Sequence, residues 1–190
     1  MSRLKRILLV LTILLLVLIG VVAWLFRSRA EPIPEQLPEI NLAEADPMKI
    51  VIPGSAGLPD LKLADLKGKT AYLVVGDRES MQAGESKLFD RALGRWKVPD
   101  DVVGYAIADT EGFKLFASKI DEILTPMRPE IRLPLYVDYE GAVSKAFKLP
   151  KGHVGIVVLG PDGAITLRHS GPPADKDDPI LAKLKAALRA

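Results

Sequence analysis

With 190 residues, 26 of them basic and 24 acidic, the chain carries a formal charge of only +2 and contains no cysteine. The absence of any cysteine thiol excludes thiol–disulfide exchange, thiol peroxidase chemistry and disulfide bonds outright. A nearly balanced charge, with no basic tract through the soluble part, does not indicate nucleic acid as a partner.

The hydrophobic fraction of 48% is inflated by one run near the amino end. Residues 1–6 carry Arg3, Lys5 and Arg6 and are expected on the cytoplasmic side. Residues 7–26 are uncharged, and sixteen of the twenty are Leu, Ile, Val or Phe. As a helix rising about 1.5 Å per residue the run is about 30 Å long, the thickness of a bilayer's hydrocarbon core. Its insertion is favoured by something on the order of 5 to 10 kcal/mol. Trp24 suits the interface, and Arg27 with Arg29 closes the span. The basic residues before the span place the amino end inside and the carboxyl-terminal domain outside. The expectation is a signal-anchor: a single pass through the cytoplasmic (inner) membrane, with the domain facing the periplasm or another extracytoplasmic space of the cell envelope. The alternative is a cleaved secretory signal, with Ser28 and Ala30 at minus three and minus one from a cut before Glu31. Against it, the apolar run exceeds the usual length of about 7 to 15 residues, and Arg29 falls inside the cleavage motif.

Residues 27–48 are expected to form a tether. Pro32, Pro34, Pro38 and Pro47 interrupt helix continuity while Glu31, Glu35, Glu39, Glu44 and Asp46 repel one another. Stretched at about 3.1 Å per residue, its proline- and acid-rich part, 30–47, would hold the domain up to roughly 50 Å from the bilayer. It reads either as a passive linker or as a spacer that lets the domain reach a partner.

Residues 49–190 suit one domain with a single core. A continuous apolar run at 70–75, ending at Gly76, is too short for a helix and reads as a buried strand. Leu88, Phe89, Ala92, Leu93 and Trp96 recur at helical spacing, and Pro99 stops that helix. A second strand is expected at 102–108. Phe113, Phe116, Ala117, Ile120, Ile123 and Leu124 mark a second amphipathic helix, closed by Pro126. Residues 133–137 read as a third strand, with a short helix at 142–147. Residues 155–159 are apolar on both faces, as in a central strand. Pro161, Asp162 and Gly163 then turn the chain into 165–169, giving a hairpin. Ile180, Leu181, Leu184 and Leu188 supply a terminal helix.

This order, with βαβ crossovers ahead of an antiparallel hairpin, predicts an α/β sandwich. The stretch 61–69 (LKLADLKGK) resembles the segment before the first core strand of TlpA and peroxiredoxin-type proteins. Residues 133–138 (LPLYVD) and 157–163 (VVLGPDG) resemble their later strands. Within this thioredoxin-like superfamily the chain is most similar to YtfJ-type exported bacterial proteins, in the strand ending at Gly76, in Pro99, in Ala108-Asp109-Thr110, and from Val137-Asp138 through Lys145-Ala146-Phe147 to Val157-Val158-Leu159. The resemblance covers 61–169 and implies a thioredoxin-like α/β/α sandwich and an exported compartment, without implying a reaction. The chain departs from those proteins in its long anchor.

The resemblance places the redox motif on residues 77–84, where Glu79 and Gln82 stand at the two cysteine positions. Val154 stands where the family carries the proline facing that pair. Residue chemistry adds three possibilities. Glu79 or Ser80 caps the helix start, or the loop takes a carboxylate or phosphate with help from Arg78. Ser80 pairs with His153 as a nucleophilic dyad, although no third group is identifiable. His153 and His169 fall on adjacent predicted strands and Asp77, Asp109 and Asp138 at strand ends, but without the tight spacing of a metal site. Arg128, Arg132 and Arg168 group as an anion patch or simply solvate a face. The glycine-rich turns at 138–141 and 160–163 lack the ligands of a calcium loop, and 126–129 reads as loop. No catalytic residue, metal or cofactor is assigned.

The reading is a redox-inactive module that binds a protein or peptide at Arg78, Glu79, Ser80, Gln82, His153 and Val154. The alternative is a cysteine-free enzyme that uses a Ser/His/carboxylate or metal site in the same groove.

Overall fold

The computed structural model describes residues 30–40, 46–85, 87–88, 91 and 97–189. The span expected at 7–26 and most of the helix expected at 88–96 lie outside them. No helix among the described residues is long and apolar enough to cross a membrane.

The centre of the molecule is a five-stranded sheet. Its strands are β3 (Ala71–Gly76), β4 (Val103–Asp109), β5 (Leu135–Asp138), β6 (Gly155–Leu159) and β7 (Ile165–Ser170), in the spatial order β5-β4-β3-β6-β7. β3, β4 and β5 are parallel, while β6 and β7 run antiparallel to their neighbours. Before them, β1 (Val51–Ile52) and β2 (Leu61–Lys62) form a small hairpin that sequence periodicity did not predict. Two residues per strand are too few to show alternation.

Side chains of a strand point alternately to the two faces, so each face gathers its own core. Leu73 and Val75 of β3 and Val157 and Leu159 of β6 pack on one face with Ile52, Leu63 and Phe147. Tyr72, Ile156 and Val158 face the other way and meet Ile180, Leu181, Leu184 and Leu188 of the terminal helix. Each fully buried aliphatic or phenyl side chain contributes about 1.5 to 3 kcal/mol. Because β6 is buried along its whole length, it reads as an unbroken apolar run.

The helices are α1 (Arg78–Gln82), α2 (Ala117–Leu124), α3 (Ala142–Ala146) and α4 (Pro179–Ala187). Asp178 caps α4 by accepting the Ile180 amide. α2 departs from expectation in its packing: only Leu124 is buried, whereas Phe113, Phe116 and Ile123 are exposed and Leu115 is 95% exposed. Helical spacing placed these side chains on one side, and among the described residues no element covers them.

The tether is also corrected. Residues 30–40 adopt neither helix nor strand, as their prolines require, yet they lie against the domain instead of standing clear. The Glu31 amide donates to the Lys151 carbonyl at 2.8 Å, Lys148 Nζ donates to the Glu39 carbonyl, and Arg168 donates to the carbonyls of Leu37 and Pro38. Leu37 and Ile40 pack against the first core. Repulsion between acids was the reason to expect a free spacer. Here the segment's own carbonyls and two apolar side chains outweigh it.

Candidate functional site

In the antiparallel pair β3–β6, Val75 stands opposite Gly155. The carboxyl ends of β3, β4 and β5 and the start of β6 therefore share one edge of the sheet. Asp77, Asp109 and Asp138 lie at that edge, together with the loop 151–154.

Asp77 has β-region backbone angles and caps α1, its Oδ1 accepting the Ser80 amide at 2.9 Å. The buried Ser80 hydroxyl donates back to the Asp77 carbonyl at 2.9 Å. The cap expected at Glu79 or Ser80 is thus Asp77, one turn of logic earlier: a short acidic side chain immediately before the helix reaches the free amides. Asp77 Oδ2 also accepts the Gly152 amide. The negative charge that this helix start favours belongs to the chain itself, which corrects the reading of the loop as a carboxylate or phosphate receptor.

His153 does not bond Ser80. Its Nδ1 lies 3.1 Å from Glu85 Oε1 and its Nε2 lies 2.8 Å from the Glu31 carbonyl. Both ring nitrogens are thereby engaged. The Ser80–His153 dyad is therefore corrected, since both of its members are committed elsewhere. Val154 is fully buried, and its amide donates to Glu85 Oε2 at 2.7 Å. A proline at this position would have no amide to give, so the residue type at 154 and the buried Glu85 form one arrangement. Glu85 was not anticipated. It lies 69 residues from its partner, and no local spacing joins them.

Arg78 and Glu79 are half-buried and Gln82 is exposed. The six expected residues do collect at this edge, the first four on and beside α1 and the last two on the loop before β6. What fills the space between them is Asp77 and Glu85, leaving a cavity of about 10 Å³ lined by Val75, Asp77, Asp109, Ser144, Lys151 and His153 among others. That is about one water molecule's worth.

A second cluster flanks it. Burial raises the Asp109 carboxyl above its ordinary value, against bonds from Ser144 and the Glu111 amide that lower it. Glu111 is held below the usual carboxylate range by its bonds to Lys145 and then Lys151, with both ion pairs at 2.6 Å. Asp138 accepts the amides of Glu140 and Val143. The strand-end aspartates are thus bonded to backbone or hydroxyl groups, and among the described residues no group of three acids or histidines could hold a metal. His169 lies on β7, with burial pulling its imidazole below the ordinary value. Arg128 donates to the Leu135 carbonyl and Arg168 to the carbonyls of Phe147, Leu37 and Pro38. These bonds hold the two guanidiniums separately, in line with dispersed arginines more than with an anion patch.

The segment 30–40 completes the edge. A Cβ at Gly152 would stand 2.1 Å from Ala30 Cα, and one at Gly171 would stand 2.5 Å from Ile33 Cδ1. Both glycines have positive φ, at 85° and 91°, so a side chain is unwelcome there on two counts. Between this segment and 148–150 lies an open groove of about 490 Å³, lined by Glu31, Pro32, Pro34, Pro38, Lys148, Leu149 and Pro150.

No family model and no curated protein matches the chain. Solved structures do. A Chlorobium tepidum protein described as a thiol:disulfide interchange protein DsbE matches with TM-score 0.55 and 19% identity over 80% of this chain and 99% of that one. Peroxiredoxin Q of Xanthomonas campestris matches with TM-score 0.53 and 17% identity over 80% and 97%. StoA of Bacillus subtilis matches with TM-score 0.52 and 15% identity over 75% and 98%. At such identities the likeness is one of fold.

Proposed function

We propose that this cysteine-free chain, which shares its fold with those thiol:disulfide interchange and peroxiredoxin structures, is a membrane-anchored module of the cell envelope that binds a protein or peptide segment at the edge where α1 meets the loop 151–154. One observation carries this reading: the proline-containing segment 30–40 already lies against the domain, and its start, at Glu31, is bonded to Lys151 and His153 of that loop. Residues 30–40 are held by bonds that Lys148 and Arg168 donate to their carbonyls, by the Glu31 amide donating to the Lys151 carbonyl, and by His153 against the Glu31 carbonyl. Carbonyls are common to all peptides, so the seat suits a class of chain more than one sequence. The uncharged run at 7–26 and the resemblance to YtfJ-type exported proteins support the address. The roughly one-water cavity between Asp77 and His153 is far smaller than the pockets of about 300 Å³ or more that enclose small substrates.

The test is photocrosslinking in membranes from a probe at Gln82, which is exposed at the end of α1. The original chain is compared with Glu31→Pro, which removes the amide donated to Lys151. Capture of a defined partner, increased when the resident segment is weakened, supports the proposal. No enriched partner in either form contradicts it.

A further inference from the structure

The exposed apolar tip beside the site has a position that the docked segment explains. Leu115 is 95% exposed, Phe116 58%, Ile123 56% and Phe113 42%. The tip follows the carboxyl end of β4, and a short series of contacts links it to the start of the docked segment. Glu111, two residues before Phe113, pairs with Lys151 Nζ at 2.6 Å. The Lys151 carbonyl accepts the Glu31 amide at 2.8 Å, and Ala30 lies against Gly152. The chain therefore leaves the described domain, toward its amino end, from the edge that carries the tip.

Covalent reach then sets the distance. With 7–26 as the span, only residues 27–29 separate Phe26 from Ala30, and four Cα steps extend at most about 14 Å. Docking of 30–40 replaces a tether of roughly 50 Å with one too short to lift this edge away from the bilayer. The apolar side chains that nothing among the described residues covers are then beside lipid. Phenyl and leucyl side chains are those that enter the boundary between headgroups and acyl chains. The nearest basic groups are already neutralised, Lys114 by Glu140 and Lys119 by Glu122, each at 2.6 Å. Anionic headgroups are therefore not what draws the tip.

We propose that the tip formed by Phe113, Leu115, Phe116 and Ile123 beds into the lipid–water interface of the membrane that anchors the chain, holding the peptide-binding edge at the bilayer surface. This rests on the reading of 7–26 as a span. It also limits the partners of that edge to segments presented at the membrane surface.

Because the chain has no cysteine, single-cysteine labelling reads position directly. The full-length chain is reconstituted into phosphatidylcholine vesicles, with and without phosphatidylglycerol. It carries an environment-sensitive fluorophore either at Leu115→Cys or at Lys69→Cys, an exposed residue at the opposite end of β3. The expected result is that the label at 115 is quenched several-fold more by lipid-borne nitroxides than the label at 69, is shielded from aqueous iodide, and does not respond to the anionic lipid. Equal behaviour of the two labels overturns the proposal. So does shielding at 115 that disappears as the protein is diluted in lipid, which would make a second copy the occupant. Alkaline extraction separates the two premises: release of the protein removes the span and the proposal with it, whereas retention with an aqueous label at 115 removes the proposal alone.

Discussion

Two segments meet the same edge of the sheet in opposite ways. Residues 30–40 have the composition of a linker and yet are fastened, through carbonyls and a pair of glycines that leave room for them. The stretch from Phe113 to Leu124 has the spacing of a packed amphipathic helix and yet leaves Leu115, Phe116 and Ile123 bare. What decides packing is therefore whether a surface of complementary groups exists opposite, and composition alone does not report it. One segment finds that surface within the chain; for the other, none of the described residues supplies it.

The contrast breaks most readily at Glu85. Glu85→Ala leaves the Val154 amide buried without an acceptor and frees His153, so stability falls by about 2 to 3 kcal/mol. Urea denaturation measures the loss, and faster proteolysis within 31–40 shows that the seat has opened with it. Gly171→Ala acts on the segment more selectively. It forces a side chain into positive φ and against Ile33, costing about 1 to 2 kcal/mol, with proteolysis of 31–40 accelerated more than global unfolding.

His169 sharpens the account through pH. Its folded value is depressed, chiefly by burial, so the unfolded chain binds the proton first as pH falls. The stability present above the ordinary value of 6.5 is then lost progressively down through the folded value. Thermal melts across that window slope accordingly, and His169→Gln flattens the slope. The smallest effect belongs to Leu115→Ser, which changes stability by less than about 0.5 kcal/mol because the residue is already in solvent. A loss of several kcal/mol in detergent-free solution would mean that the tip is packed after all.

Most of the sheet was legible from residue type. Residues 155–159 and 71–76 are apolar runs too short to be helices, and the turn at 160–163 joins β6 to β7 as its proline and glycine require. The positions of the six candidate residues were legible, but their wiring was not. Arg78, Glu79, Ser80, Gln82, His153 and Val154 do share an edge, because strand ends follow from strand order. Asp77 as the cap was within reach of a local reading, standing directly before the helix with Ser80 three residues on. Glu85 was not, since its acceptors' work is done across the fold. The docking of 30–40 was least legible of all. It depends on main-chain carbonyls, which every residue carries, and so leaves no trace in the pattern of side chains.

The Glu31 amide gives the most direct measurement, because it is the hydrogen-bond donor that ties the docked segment to the loop before β6. Amide hydrogen exchange on the full-length chain should show Glu31 protected, and that protection should be lost in Glu85→Ala while the amides of β3 and β6 stay slow. Exchange of Glu31 at the rate of an unstructured peptide, with Gly152 and Val154 still protected, would contradict the claim that the chain covers its own binding edge.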